Sequence, residues 1–176
     1  MNRPVKLILA LLISAAVGHV ATVFATPTVL MSVAMKRLSA GTPVNHFAFG
    51  DRTTEKSRRV VRPSPDLAYS SCVYDLSDGP IHVTAAPSPD GGYLSISVFA
   101  ANTDNIGVYD SLRSPAGIDF VLAKSGQPTP PGASVLISPS TKGIILDRRL
   151  APNAELFAVV DKARRADTCA PVSPPR

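Results

Sequence analysis

Tyr93-Leu94-Ser95-Ile96-Ser97-Val98-Phe99-Ala100 is the stretch whose reading decides the fold. Leu94, Ile96, Val98 and Ala100 alternate with Tyr93, Ser95, Ser97 and Phe99, and a period of two puts one set on each face of a half-buried strand. Working backwards, Pro89-Asp90-Gly91-Gly92 is a turn signal, and Ile81-His82-Val83-Thr84-Ala85 before it has strand composition. The two strands and their turn are expected to form a β-hairpin. Earlier still, Cys72-Val73-Tyr74 leads into the tight turn Asp78-Gly79-Pro80, and a short helix is expected over Asp66–Ser70. Working forwards, strands are expected at Ile106–Tyr109, Ile118–Ala123, Ser134–Ser138 and Gly143–Leu150.

The period changes after Pro152. Leu156, Phe157, Val160 and Ala163 recur at helical spacing, with Glu155, Asp161, Lys162, Arg164 and Arg165 on the other face. Pro152 and Asn153 suit a helix start, and a helix to about Ala166 would return Cys169 toward Cys72. The expected architecture is mainly β: an antiparallel, sandwich-like domain closed by a C-terminal helix, so that each strand buries its apolar face.

The N-terminus sets the compartment. Leu7–Ala25 carries no formal charge and follows Arg3 and Lys6; at about 1.5 Å per residue it reaches roughly 28 Å, close to a bilayer's hydrocarbon thickness. One reading is a transmembrane helix. The other is a signal peptide cut after Val23-Phe24-Ala25. The mostly apolar continuation over Thr26–Leu38 favours the uncleaved anchor. Basic residues flank both ends (Arg3 and Lys6, Lys36 and Arg37), so the positive-inside count barely separates the two orientations. Cys72 and Cys169 are the only cysteines, and two thiols in an oxidising compartment favour a disulfide; two independent buried thiols are the alternative. The expectation is therefore a single pass with the N-terminus inside and the C-terminal domain outside the cytoplasm, or secretion of that domain after cleavage. Residues 1–40 are read as anchor and juxtamembrane segment, 41–66 as linker, 67–170 as the β-rich domain and 171–176 as a Pro-rich tail.

Within the span, His19 and Thr22 are polar residues at a depth where an ionised imidazole is costly. Pro27 is expected to kink the helix or mark its exit. Ala15, Ala16, Gly18, Ala21 and Ala25 form a small-residue stripe that permits close approach of another helix.

Little chemistry is legible beyond this. The net charge of +5 is modest, and Arg52, Lys56, Arg58, Arg59 and Arg62 read as a solvated linker near the membrane. Basic and aromatic residues are not interleaved, which argues against nucleic acid. Of the three histidines only His82 lies within the β domain, too few for a zinc site with the two cysteines paired. Glu55 and Glu155 are the only glutamates, and Asp75, Asp78, Asp90, Asp104, Asp110, Asp119 and Asp147 fall mostly at expected turns or strand ends. No Gly-x-Ser-x-Gly elbow or phosphate-binding glycine loop occurs, Asn102, Asp104 and Asn105 do not make a calcium loop, and no cofactor is implied.

Tyr74-Asp75-Leu76-Ser77-Asp78-Gly79-Pro80, with Cys72-Val73 before it and Ile81 after it, resembles the domain-of-unknown-function family numbered 1254, as does Tyr93–Val98. The whole chain is similar to the family's short, membrane-anchored alphaproteobacterial members. His19-Val20-Ala21-Thr22 with Pro27, and Pro43-Val44-Asn45-His46-Phe47, belong to that likeness. The resemblance implies a single-pass protein of the bacterial inner membrane with a β-rich domain in the periplasm, and a companion from the family numbered 1214, which longer relatives carry in the same chain. It brings no catalytic residues. Three functions are weighed: a non-enzymatic module that pairs with a partner, a binder of lipid or another small amphiphile, and an envelope enzyme using aspartates or His82 for acid–base work. The small-ligand class is not specified by any residue.

Overall fold

A computed structural model describes residues 2–58, 60, 62–89 and 91–172; Arg59, Asp90 and the tail residues 173–176, named above, lie outside the described residues. Helix α1 (Arg3–Leu38) continues past Pro27, so that proline does not mark its end. Its length and composition are those of a helix able to cross a membrane, as an anchor or as a signal sequence. After it come β1 (Phe47–Phe49), β2 (Leu67–Asp75), β3 (Ile81–Ala85), β4 (Leu94–Ala100) and β5 (Asn105–Asp110). The chain ends with β6 (Ile118–Lys124), β7 (Val135–Ser138), β8 (Lys142–Leu150), α2 (Ala154–Arg164) and β9 (Thr168–Pro171).

The strands form two sheets, ordered β1-β2-β8-β4-β5 and β7-β6-β3-β9. All pairings are antiparallel except β6 with β7. The mainly β class with a long N-terminal apolar helix and a C-terminal helix is as the sequence implied. Three local expectations change. First, β3 and β4 are not a hairpin, because β3 pairs with β6 and β9 in the second sheet while β4 pairs with β8 and β5 in the first. A turn between two apolar strands looks the same whether they pair or cross between sheets, since both burials satisfy the same pattern. Second, Leu67–Ser70 is not helical but opens β2, whose register with β8 runs unbroken from Leu67↔Leu150 to Asp75↔Lys142. Tertiary pairing outweighs the weak helical preference of so short a segment. Third, β1 lies within the stretch read as a linker and extends the first sheet through Phe47↔Cys72 and Phe49↔Ser70.

Between the sheets pack Cys72, Tyr74, Ile96, Val98 and Ile145 from one side and Ile81, Val83, Phe120, Leu122 and Cys169 from the other. Tyr109 stacks on Phe120 with ring centroids 4.4 Å apart. The opposite face of the first sheet is covered by the last turns of α1: Met31, Ala34, Met35 and Leu38 pack against Val73, Ile144 and Phe99. The C-terminal end of α1 is thus part of the domain rather than a free tether.

Gly143 shows how tightly the interior is filled. It lies opposite Tyr74 in the β2–β8 register, and a Cβ there would fall 2.1 Å from the Phe99 carbonyl oxygen and 2.5 Å from the Tyr74 hydroxyl. Because the nearer obstacle is backbone, the clash cannot be relieved by one side chain rotating. Gly143→Ala is expected to destabilise the domain by about 2–3 kcal/mol in urea unfolding, the range of overpacked cores. A loss under 0.5 kcal/mol would show that β8 is free to shift.

Candidate functional site

Two polar constellations stand out, and the first is the Tyr74–Pro80 motif. Tyr74 is fully buried; its hydroxyl lies 3.0 Å from Ser138 Oγ and donates to the Phe99 carbonyl at 3.3 Å, tying β2 to the ends of β4 and β7. Asn45, held at φ 59°, donates from Nδ2 to the Asp75 carbonyl (2.9 Å) and accepts from the Asp75 amide through Oδ1 (2.8 Å). The Asp75 carboxylate accepts from the Ser77 amide (3.0 Å) and hydroxyl (2.6 Å) and pairs with Lys142 at 3.0 Å. Partial burial pushes its pKa up, but the Ser77 and Lys142 contacts outweigh that and hold it below the usual value. Leu76 is buried, its carbonyl accepting from Gln127 Nε2 at 2.7 Å. Asp78 is exposed, Gly79 adopts φ 143°, and the Pro80 carbonyl accepts from the Val172 amide. The motif is the corner where the chain leaves the first sheet and enters the second. Beside it, Lys124, Gln127 and Thr141 line a shallow depression whose polar groups are engaged with one another, Lys124 Nζ donating to Thr141 Oγ1 at 3.1 Å.

The second constellation lies inside the sandwich, at the end nearest α2. Asp147 and Arg149 of β8 are fully buried, as is Arg164 of α2, while Asp167, just before β9, is 6% exposed. Arg149 Nη2 donates to both oxygens of Asp167, at 2.9 and 2.7 Å, and its Nε lies 3.5 Å from Asp147 Oδ2. Ser70 donates to Asp147 Oδ2 at 2.8 Å, and the Ala86 amide donates to Asp167 Oδ1 at 2.9 Å. Arg164 donates to the Tyr69 carbonyl (2.6 Å), the Gly50 carbonyl (2.5 Å) and the Asp161 carboxylate. Burial pushes the Asp167 carboxyl up to about 6 against the pull of Arg149, with Asp147 adding to the rise. Burial also raises Asp147, although Arg149 and Ser70 oppose it. Asp147 Oδ1 and Arg149 Nη1 are buried without a hydrogen-bond partner among the described residues.

Here two sequence expectations are corrected. Asp147 is no turn or strand-end residue but sits inside β8, paired with Ser70 and Ile96 on neighbouring strands. Arg164 does not lie on the solvent face of α2; the helix aims it at the carbonyls of Gly50 and Tyr69, and the rings of Phe49 and Phe157 lie 5.7 and 5.4 Å away. Sequence reasoning misses Arg149 and Asp167; for Arg149 the available signal is that Ile145, Asp147 and Arg149 alternate, so burial of Ile145 carries the other two inward, whereas no pattern marks Asp167.

The remaining candidates are dispersed. Cys72 of β2 and Cys169 of β9 are bonded, with Cα atoms 6.6 Å apart, joining the two sheets. His82 Nε2 lies 2.8 Å from Asp119 Oδ1, both side chains largely exposed on the outer face of the second sheet. Asp104 accepts from Asn102, and Asp110 accepts from the Leu112 and Arg113 amides, as turn residues do. His19 is exposed on α1, and Thr22 donates to the Gly18 carbonyl at 2.8 Å, satisfying its hydroxyl within the helix. Among the described residues no group of three His, Cys, Asp or Glu is placed to hold a metal ion.

Comparison with solved structures finds the VPA0106 protein of Vibrio parahaemolyticus at a TM-score of 0.62 and 15% identity, covering 89% of this chain and 41% of that one. An uncharacterized protein from Burkholderia cenocepacia aligns at a TM-score of 0.46 and 17% identity, covering 80% of this chain and 37% of that one. This chain therefore spans about two fifths of the length of each. No curated protein matches it in sequence. Residues 44–171, from the Asn45 clamp through the corner motif to the end of β9, match the family described as "Protein of unknown function (DUF1254)", and the chain belongs to that family.

Proposed function

We propose that this chain is a non-enzymatic module of the bacterial envelope, held at the inner membrane by α1 with its β domain in the periplasm, and that it works by pairing with a second polypeptide. One observation carries the reading. On the side of the sandwich away from the disulfide, β5 and β7 are the edge strands of the two sheets and lie against each other, Leu136 filling the space over Gly107. Val108, Leu112, Val135 and Ile137 are exposed along this side, at 49, 82, 38 and 51%. Unpaired strand edges bordered by exposed aliphatic side chains are a template for association. The disulfide supports an oxidising compartment. The Vibrio parahaemolyticus chain of this fold is more than twice as long, which supports a second unit beside the one described here, and the resemblance suggests a companion of the 1214 family.

The test is co-expression of the full chain with that companion and purification in mild detergent. A complex of fixed stoichiometry is expected, weakened at least tenfold by V108K combined with I137K, with the melting temperature little changed. Separate elution of the two proteins, or unchanged binding by the double variant, overturns the proposal.

A further inference from the structure

We infer that Asp147, Arg149 and Asp167 form a proton-dependent tie, in which uptake of one proton by the two carboxylates that share a guanidinium fastens the disulfide-bearing strand β9 to the first sheet. Two buried carboxylates face Arg149, while Arg164 pairs with Asp161, donates to the carbonyls of Tyr69 and Gly50, and reaches Asp147 only through the Ser70 hydroxyl, 3.3 Å from its Nη1. Asp161 is further paired with Arg165, whose side chain is 54% exposed, and the neutral neighbours are the Ser70 hydroxyl and the Ala86 amide. With both carboxylates ionised, Arg149 and its two direct partners carry one net negative charge at a site with little access to water, and Arg164, on the far side of Ser70, offsets it only in part. Uptake of one proton removes that charge, and its release to solvent restores it. Asp147 Oδ1 is the oxygen open to that proton, since Oδ2 already accepts from Ser70 and faces Arg149.

Position gives the proton its consequence. Asp167 lies two residues before Cys169, and its carboxylate is held jointly by Arg149 of the first sheet and the Ala86 amide that follows β3. Beyond it, β9 is an edge strand joined to β3 over Thr168–Pro171. The sign follows from the direction of the shift: a carboxyl whose folded pKa is raised to about 6 stabilises the native state fully below its ordinary value of 3.8 and loses that contribution as pH rises through 6. Rising pH therefore loosens β9, and mild acid tightens it.

The test uses the full chain in detergent micelles. Amide exchange of Thr168, Ala170 and Val172, whose N–H groups face β3 in this register, reports opening of β9 once corrected for the intrinsic pH dependence of exchange. Opening is expected to rise about tenfold between pH 5 and 7.5, and Asp147→Asn, which mimics the protonated carboxyl, is expected to flatten that dependence. Carboxyl carbon shifts of the wild-type protein provide the second measurement, should the variant fail to fold. Equal protection of β9 at both pH values, or titration of both Asp147 and Asp167 below pH 4.5, overturns the inference.

Discussion

Replacing Cys72 and Cys169 together by alanine is expected to lower the unfolding free energy by about 4–5 kcal/mol. The bond closes a loop with a sequence separation of 97, and the chain-entropy treatment assigns a loop of that size roughly this effect through the unfolded state. For a single domain with a total stability of about 5–15 kcal/mol, that is about a quarter of the total or more. Location adds to it. Cys169 lies on β9, an edge strand of four residues, and Cys72 lies on β2 in the other sheet, so the bond is the covalent link across the sandwich on the side that α2 closes. Urea unfolding at neutral pH measures the loss, and wild-type protein treated with a thiol reductant should fall by a similar amount. A double variant within 1 kcal/mol of wild type would mean that β9 docks on packing alone. An effect of the expected size bears on compartment as well, since a domain this dependent on its disulfide would be poorly maintained where thiols stay reduced.

That bond was legible in the sequence, and so were the strand at Tyr93–Ala100 and helix α2, for a common reason. Each is signalled by local periodicity or by a residue type whose chemistry leaves few options. Asn153 was legible as a helix start because its side chain can accept from a backbone amide, and it does so from Leu156 at 2.8 Å. What the sequence hid is what depends on neighbours. Sheet membership of β3 and β4 is fixed by the strands they meet across the core, which no window over Ile81–Ala100 contains. Leu67–Ser70 carries too few residues to display either period. The buried charges were the least legible. Asp147 looks like an ordinary acidic residue near a strand end, and Arg164 like the basic last turn of a surface helix. Only the fold reveals that β8 carries Asp147 inward and that α2 points Arg164 at two carbonyls. The Tyr74–Pro80 motif was recognised, but its role as a corner between sheets required Asn45, Gln127 and Lys142 to be placed around it.

Arg149→Met is expected to cost about 3–5 kcal/mol at pH 7, comparable to losing the disulfide, although it exchanges a charged core residue for an apolar one of similar length. The penalty comes from what stays behind. Asp147 and Asp167 would keep their burial and lose the guanidinium they share, and an unpaired buried carboxylate is far more costly than a buried pair. The same reasoning fixes the pH dependence. Without Arg149 both carboxyls should titrate still further above their ordinary value, so the variant should regain stability as pH falls and both become neutral. Urea unfolding at pH 7 and pH 5 would show the gap from wild type narrowing in acid. Combining Arg149→Met with Asp147→Asn and Asp167→Asn removes the stranded charges and should recover part of the loss. Recovery would mean that the cluster contributes less to net stability than the single substitution suggests, and that its value lies in fixing how β8, α2 and β9 meet. A single variant with near-wild-type stability at pH 7 would instead show that water reaches the cluster, and the interior tie would have no basis.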